Sequence, residues 1–127
     1  MKIKLDKTDS KVVKSNETYD VIDNTDLNNL VVSKTILHEG KETSGHNHKG
    51  QEEVYIFTEG SGKMVVGSDT HIVKEGDIVL IPDGAFHKVW NTSSVYDLIF
   101  IETQTGTYFG EDDIVRIEDD YGRENED

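Results

Sequence analysis

From Leu30 onward the chain alternates short apolar runs with small clusters of turn residues. The runs Leu30–His38, Val54–Thr58, Lys63–Val66, His71–Lys74, Ile78–Ile81, Phe86–Asn91 and Val95–Glu102 are rich in β-branched and aromatic residues, which predicts seven strands. Between them stand EGKETSG, TEGSG, GSDT, KEGD, PDGA and NTSS, turn chemistry recurring about every 8–12 residues, the spacing of an antiparallel sandwich or barrel. No helical period competes. A further strand within Lys11–Ile22 would bring the count near eight, and the expected fold is all-β, a jelly-roll β-barrel.

Candidate chemistry concentrates in two of these stretches. In SGHNHKGQEEVYIF, His46 and His48 stand two apart, so on a strand they share a face while Asn47 looks away. Glu53 has the parity of Tyr55 and Phe57, which assigns it to the inward face, where a carboxylate needs a partner. Glu52 has the opposite parity and reads as a surface residue. In GDIVLIPDGAFHKVWN, His87 shares its parity with Val89 and is expected to point inward as well. Three imidazoles and one carboxylate suit a single divalent ion such as Zn, Mn, Fe, Ni, Co or Cu, and six-coordination would leave two positions open.

These two stretches resemble the paired motifs of the cupin superfamily. The first, G-x5-H-x-H-x4-E-x6-G, falls on Gly40, His46, His48, Glu53 and Gly60; the second, G-x5-P-x-G-x2-H-x3-N, falls on Gly76, Pro82, Gly84, His87 and Asn91. The resemblance implies a jelly-roll barrel with His46, His48, Glu53 and His87 around one divalent metal ion. Gly76, Gly84 and Pro82 have structural work in turns whatever the site does. His38 and His71 match no motif position and are expected on exposed strand ends.

A second resemblance lies nearer the C-terminus. IETQTGTYFGEDDIVRIEDDYGR, Ile101 to Arg123, is similar to the end of the cupin domain in type II mannose-6-phosphate isomerases, where an isomerase is joined to a mannose-1-phosphate guanylyltransferase. That likeness implies a sugar-phosphate isomerase or related carbohydrate enzyme in which a metal polarises a carbonyl. Two alternatives are an oxygenase acting on a small organic substrate and a sugar-binding domain without turnover. The general base is unassigned, with Lys49 and Tyr55 as candidates. The chain departs from the isomerases at one place: they carry an arginine directly after the second histidine and two residues between that histidine and the glutamate. Here Lys49 follows His48, and four residues separate His48 from Glu53. Small cupins commonly pair through an N-terminal strand, so the resemblance implies a homodimer.

Composition narrows the partners. With a formal charge of −13 among 127 residues, the chain is not expected to bind nucleic acid or an anionic membrane. Residues 111–127 hold nine acids against Arg116 and Arg123, more than half of that charge, so a barrel over residues 1–110 and an acidic tail over 111–127 are expected. No arginine precedes Arg116, so a phosphosugar would have to be met by Lys41, Lys49, Lys88 or Arg116. The absence of cysteine excludes a disulfide scaffold, and the charged opening MKIKLDKTDSK is unlike a signal peptide; a soluble cytoplasmic protein is expected.

Overall fold

The computed structural model describes residues 11–12, 19–24, 29–105 and 114–116; of residues 11–12, 19–24, 46, 48 and 114–116 it describes the backbone alone. Eleven strands lie among them: β1 Lys11–Val12, β2 Tyr19–Asn24, β3 Leu30–Leu37, β4 His46–His48, β5 Glu53–Glu59, β6 Ser61–Val66, β7 Asp69–Lys74, β8 Ile78–Ile81, β9 His87–Asn91, β10 Leu98–Thr105 and β11 Ile114–Arg116. They form two antiparallel sheets, ordered β1-β2-β3-β10-β5-β8 and β11-β4-β9-β6-β7. Among the described residues no helix is long and apolar enough to cross a membrane. The all-β jelly-roll expectation holds.

The core is the seam between the inner faces of the two sheets. Leu37, Tyr55, Phe57, Leu98 and Phe100 from one sheet meet Met64, Val73 and Val89 from the other, with Ile81 closing the edge. Each residue belongs to the inward parity of its strand, so the period-2 pattern that predicts the strands also builds this core. Tyr55 stacks on Phe100 at 5.1 Å between centroids, and Phe57 tilts against Phe100 at 5.2 Å.

The chain changes sheets at Gly60, between β5 and β6, with φ of 85°. A side chain there would run into the backbone of Asp97 and Leu98, so the corner needs glycine for space as well as for its dihedral. Gly76 and Gly84 also take positive φ, 94° and 77°, as turns of that kind require.

Several elements differ from expectation. The run from Val95 does not begin a strand: β10 starts at Leu98 and continues to Thr105. Val95 and Tyr96 are exposed, because the Ser93 hydroxyl oxygen accepts the backbone N–H groups of both and the Asn91 side-chain amide donates to the Tyr96 carbonyl, which holds the segment as a turn. Lys11–Ile22 contains β1 and the start of β2, paired with each other. Ile114–Arg116, inside the expected tail, pairs with β4 of the second sheet; Tyr108, Phe109 and the remainder of the tail lie outside the described residues.

Candidate metal centre inside the barrel

The inner faces carry polar residues at the end of the barrel where β5 begins and β10 finishes. Glu53, the first residue of β5, is 4% exposed, and His87, the first of β9, is 1% exposed. They come from opposite sheets, and Glu53 Oε2 lies 3.2 Å from His87 Nε2. His87 Nδ1 is 3.1 Å from the Ala85 carbonyl oxygen. A carbonyl only accepts, so Nδ1 carries the proton in the neutral ring and the Nε2 lone pair is directed at the carboxyl group of Glu53.

A lone pair facing a carboxylate at that separation calls for a proton or a cation between them. Burial pushes the Glu53 carboxyl up to about 8, and the negative charge of Glu102 adds to that effect. Without a cation, a carboxyl group so raised keeps its proton at neutral pH. The separation also matches two ligands at right angles on one ion, because bond lengths of about 2.1 Å place such ligands about 3.0 Å apart. The donor set fits a divalent metal, and the Ala85 carbonyl is the outer partner that a metal-bound imidazole commonly has.

The strand register places the other expected ligands. His46 is the cross-strand partner of His87, the one residue pair joining β4 and β9. His48 lies two residues along the same short strand and pairs with Ile114 of β11. Asn47 reaches across to donate to the Gly84 carbonyl at 3.0 Å, tying β4 to the turn before β9.

The two candidate bases are placed very differently. Lys49 is exposed on the turn after β4, where the Gly50 N–H donates to Asp83 Oδ1 at 2.8 Å. Tyr55 is buried, its ring edge-on to His87 at 5.7 Å and its hydroxyl bonded to Glu102. Glu52 is exposed, as its parity predicts.

Glu102 is the residue to which sequence reasoning gave no role. It has the parity of Leu98 and Phe100, faces Tyr55 across the β5–β10 ladder, and accepts from Thr35 Oγ1 at 3.1 Å. Burial raises its carboxyl to about 7, against the lowering effect of the Thr35 and Tyr55 hydrogen bonds. Beside it, Gln104 Nε2 donates to Gln51 Oε1 at 2.6 Å. Parity counting from Leu98 was the signal that could have found this wall.

His71 is exposed on β7, whereas His38 pairs with Asp97 at 3.3 Å near the other end of β10. There His38, Glu39 and Asp97 bring three ligand atoms within 4.8 Å of one another, in a setting more open than the barrel interior.

Two facing antiparallel sheets with polar groups gathered at one end of the seam define a cupin barrel. The cupin domain of Cnp3 from Schizosaccharomyces pombe superposes with a TM-score of 0.65 at 12% identity, covering 69% of this chain and 64% of that one. TT1209 from Thermus thermophilus superposes with a TM-score of 0.72 at 23% identity, over 84% and 98%.

Within that class the chain belongs to the family described as "Mannose-6-phosphate isomerase C-terminal", whose profile matches residues 2–119. A mannose-1-phosphate guanylyltransferase of Sinorhizobium fredii is 34% identical over 89 residues, 70% of this chain and 17% of that protein. The xanthan biosynthesis protein XanB of Xanthomonas campestris is 35% identical over 92 residues, 72% of this chain and 20% of that protein. The chain thus spans about a fifth of the length of the curated relatives it matches.

Proposed function

We propose that His46, His48, Glu53 and His87 hold one divalent metal ion, Zn, Mn, Fe, Ni or Co, and that the domain performs aldose–ketose isomerisation on a sugar or sugar phosphate. The observation that carries this reading is the buried Glu53–His87 contact, with the His87 lone pair turned toward the carboxyl group and His46 its cross-strand partner. Membership of a family named for mannose-6-phosphate isomerase supports the substrate class.

A bound divalent ion would supply Lewis-acid polarisation of the sugar carbonyl. The chain's residues do the rest. Ala85 fixes the His87 tautomer, and the apolar walls of Tyr55 and Phe100 reduce water around the carbonyl. The hydrogen on the carbon beside the carbonyl must leave as a proton and return to the former carbonyl carbon. Tyr55, buried and bonded to Glu102, is better placed to take part in that transfer than Lys49, which is exposed on its turn. The expected homodimer would use the outer edge of β1, which pairs on its other side with β2; sedimentation at the mass of two chains is its measurement.

Metal analysis of protein purified without added metal, followed by assay of mannose 6-phosphate conversion to fructose 6-phosphate, tests the reading. Stoichiometric metal and turnover that both disappear in His87→Ala are the expected result. Iron with oxygen consumption would assign the domain to an oxygenase. Metal and sugar binding without turnover would make it a binding domain.

A further inference from the structure

A second group of ligand-bearing side chains lies at the end of the barrel away from Glu53. His38 directly follows β3 and Asp97 directly precedes β10, so the ladder rung Leu37–Leu98 brings the two side by side. His38 Nδ1 and Asp97 Oδ1 are 3.3 Å apart, and with Glu39 they place three ligand atoms, one from each residue, within 4.8 Å of one another. The backbone that carries them is fixed by one buried side chain. The Asn91 amide donates to the Leu37 carbonyl at 2.9 Å and to the Tyr96 carbonyl at 2.8 Å, the peptide groups immediately before His38 and Asp97. The turn beyond His38 is closed by the Lys41 N–H donating to the His38 carbonyl at 3.1 Å and the Gly40 N–H donating to the Ser93 carbonyl at 2.8 Å. Ligands held in place beforehand lose little freedom when an ion arrives.

One imidazole with two carboxylates suits a borderline divalent ion better than Ca²⁺ or Mg²⁺, which take oxygen ligands. On a tetrahedral ion with bonds of about 2.1 Å, neighbouring ligand atoms lie about 3.4 Å apart, close to the His38–Asp97 separation. Glu39 is exposed, so its side chain can swing to close the rest of the gap. The His38 and Asp97 side chains are 29% and 27% exposed, which lets water supply a further ligand. Beside the cluster opens a cleft of about 640 Å³ lined by Glu39, Glu59, Ser61, Ser93, Tyr96 and Asp97. Lys41 on the same turn and Lys74, the cross-strand partner of Ser61, are exposed cations on the flanking elements. The carboxylates of Glu39, Glu59 and Asp97 outweigh them, which leaves the cleft attractive to a cation.

We infer that His38, Glu39 and Asp97 form a second site for a divalent cation of the zinc kind, one that clamps the turn after β3 to the segment leading into β10. Its ligands are separate from the four proposed for the barrel interior, so neither site depends on the other. An ion there joins segments distant in sequence and stabilises the folded chain by mass action.

Calorimetric titration of the chelator-stripped full chain with zinc(II), with thermal unfolding alongside, is the test. Wild type should take up one zinc equivalent more than His38→Ala, and Asp97→Asn should weaken that same equivalent by about tenfold or more. Glu39→Gln should weaken it several-fold. In a His87→Ala background zinc should still raise the melting temperature, and adding His38→Ala should remove most of that rise. A near-native melting profile in chelator verifies that each variant folds. Unchanged stoichiometry and affinity in both His38→Ala and Asp97→Asn would make the three side chains an ordinary hydrogen-bonded cluster and overturn the inference. Equal zinc stabilisation of His87→Ala and of the His38→Ala, His87→Ala double variant would overturn it too, by assigning uptake to other carboxylates. Uptake that depends on His38 and not on His87 would sustain this site and remove the barrel centre; dependence on His87 alone would do the reverse.

Discussion

Replacing Glu53 with glutamine should change how the metal-free protein responds to pH. Glu53 is 4% exposed, and its carboxyl is raised from 4.5 to about 8 by burial and by the charge of Glu102. Between those values the unfolded chain has given up the proton while the folded chain keeps it. The folded state then binds more protons, so stability falls as pH rises, and it falls most across that interval. At about 1.4 kcal/mol per pH unit, Glu53 removes on the order of 3 kcal/mol of stability between pH 5 and pH 8. Glutamine fills the same volume without a charge to desolvate. Urea unfolding followed by circular dichroism, in chelator-treated buffers from pH 5 to pH 8, should give Glu53→Gln a flatter profile than wild type and greater stability at pH 8. The other carboxylates of this acidic chain are common to both proteins, so the difference between profiles reports Glu53 together with its coupling to Glu102. Adding zinc at pH 8 should stabilise wild type far more than Glu53→Gln, because binding removes the cost of an ionised buried carboxylate. Parallel profiles, separated by less than about 0.5 kcal/mol throughout, would refute the reasoning.

Two further substitutions probe the frame around the site. Gly62→Ala would place a Cβ against the Trp90 carbonyl oxygen on the neighbouring strand and 2.8 Å from Leu98 Cδ2, so β6 and β9 must separate; a loss of about 2–3 kcal/mol in urea denaturation is expected. Asn91→Ala removes donation to the Leu37 carbonyl at 2.9 Å and the Tyr96 carbonyl at 2.8 Å, and acceptance from the Ser93 N–H at 2.9 Å. Loss of about 3 kcal/mol is expected, with faster amide exchange in the 92–97 turn as the accompanying local sign.

The strands that frame the site were readable because each carries inward and outward residues in alternation, as in Glu53, Tyr55 and Phe57 set against Val54 and Ile56. The same parity brings Glu53 and His87 from distant parts of the chain to one contact. Glu102 escaped notice because a glutamate ending the run LIFIE reads equally well as a solvent-facing strand terminus. What turns it inward is the ladder to Tyr55 together with the Thr35 hydroxyl, and both are long-range. Val95 and Tyr96 look like strand residues by composition, yet hydrogen bonds to Asn91 and Ser93 decide their geometry, and those depend on a side chain buried in the frame. HNH contains no apolar residue, so β4 has no hydrophobic period to announce it. It is a strand because its neighbours supply partners on either side.

Those neighbours have a consequence. β4 is three residues long and lies between β9, which it meets through a single residue pair, and β11 near the end of the chain, which accompanies it for its whole length. Anything that peels β11 away loosens the backbone that carries His46 and His48, and by thermodynamic reciprocity a cation gripped by those residues would help keep β11 seated. If the proposed ion is bound, chelation should then make the C-terminal end more open to proteolysis, and the strand Ile114–Arg116 would serve as a latch over the ligands.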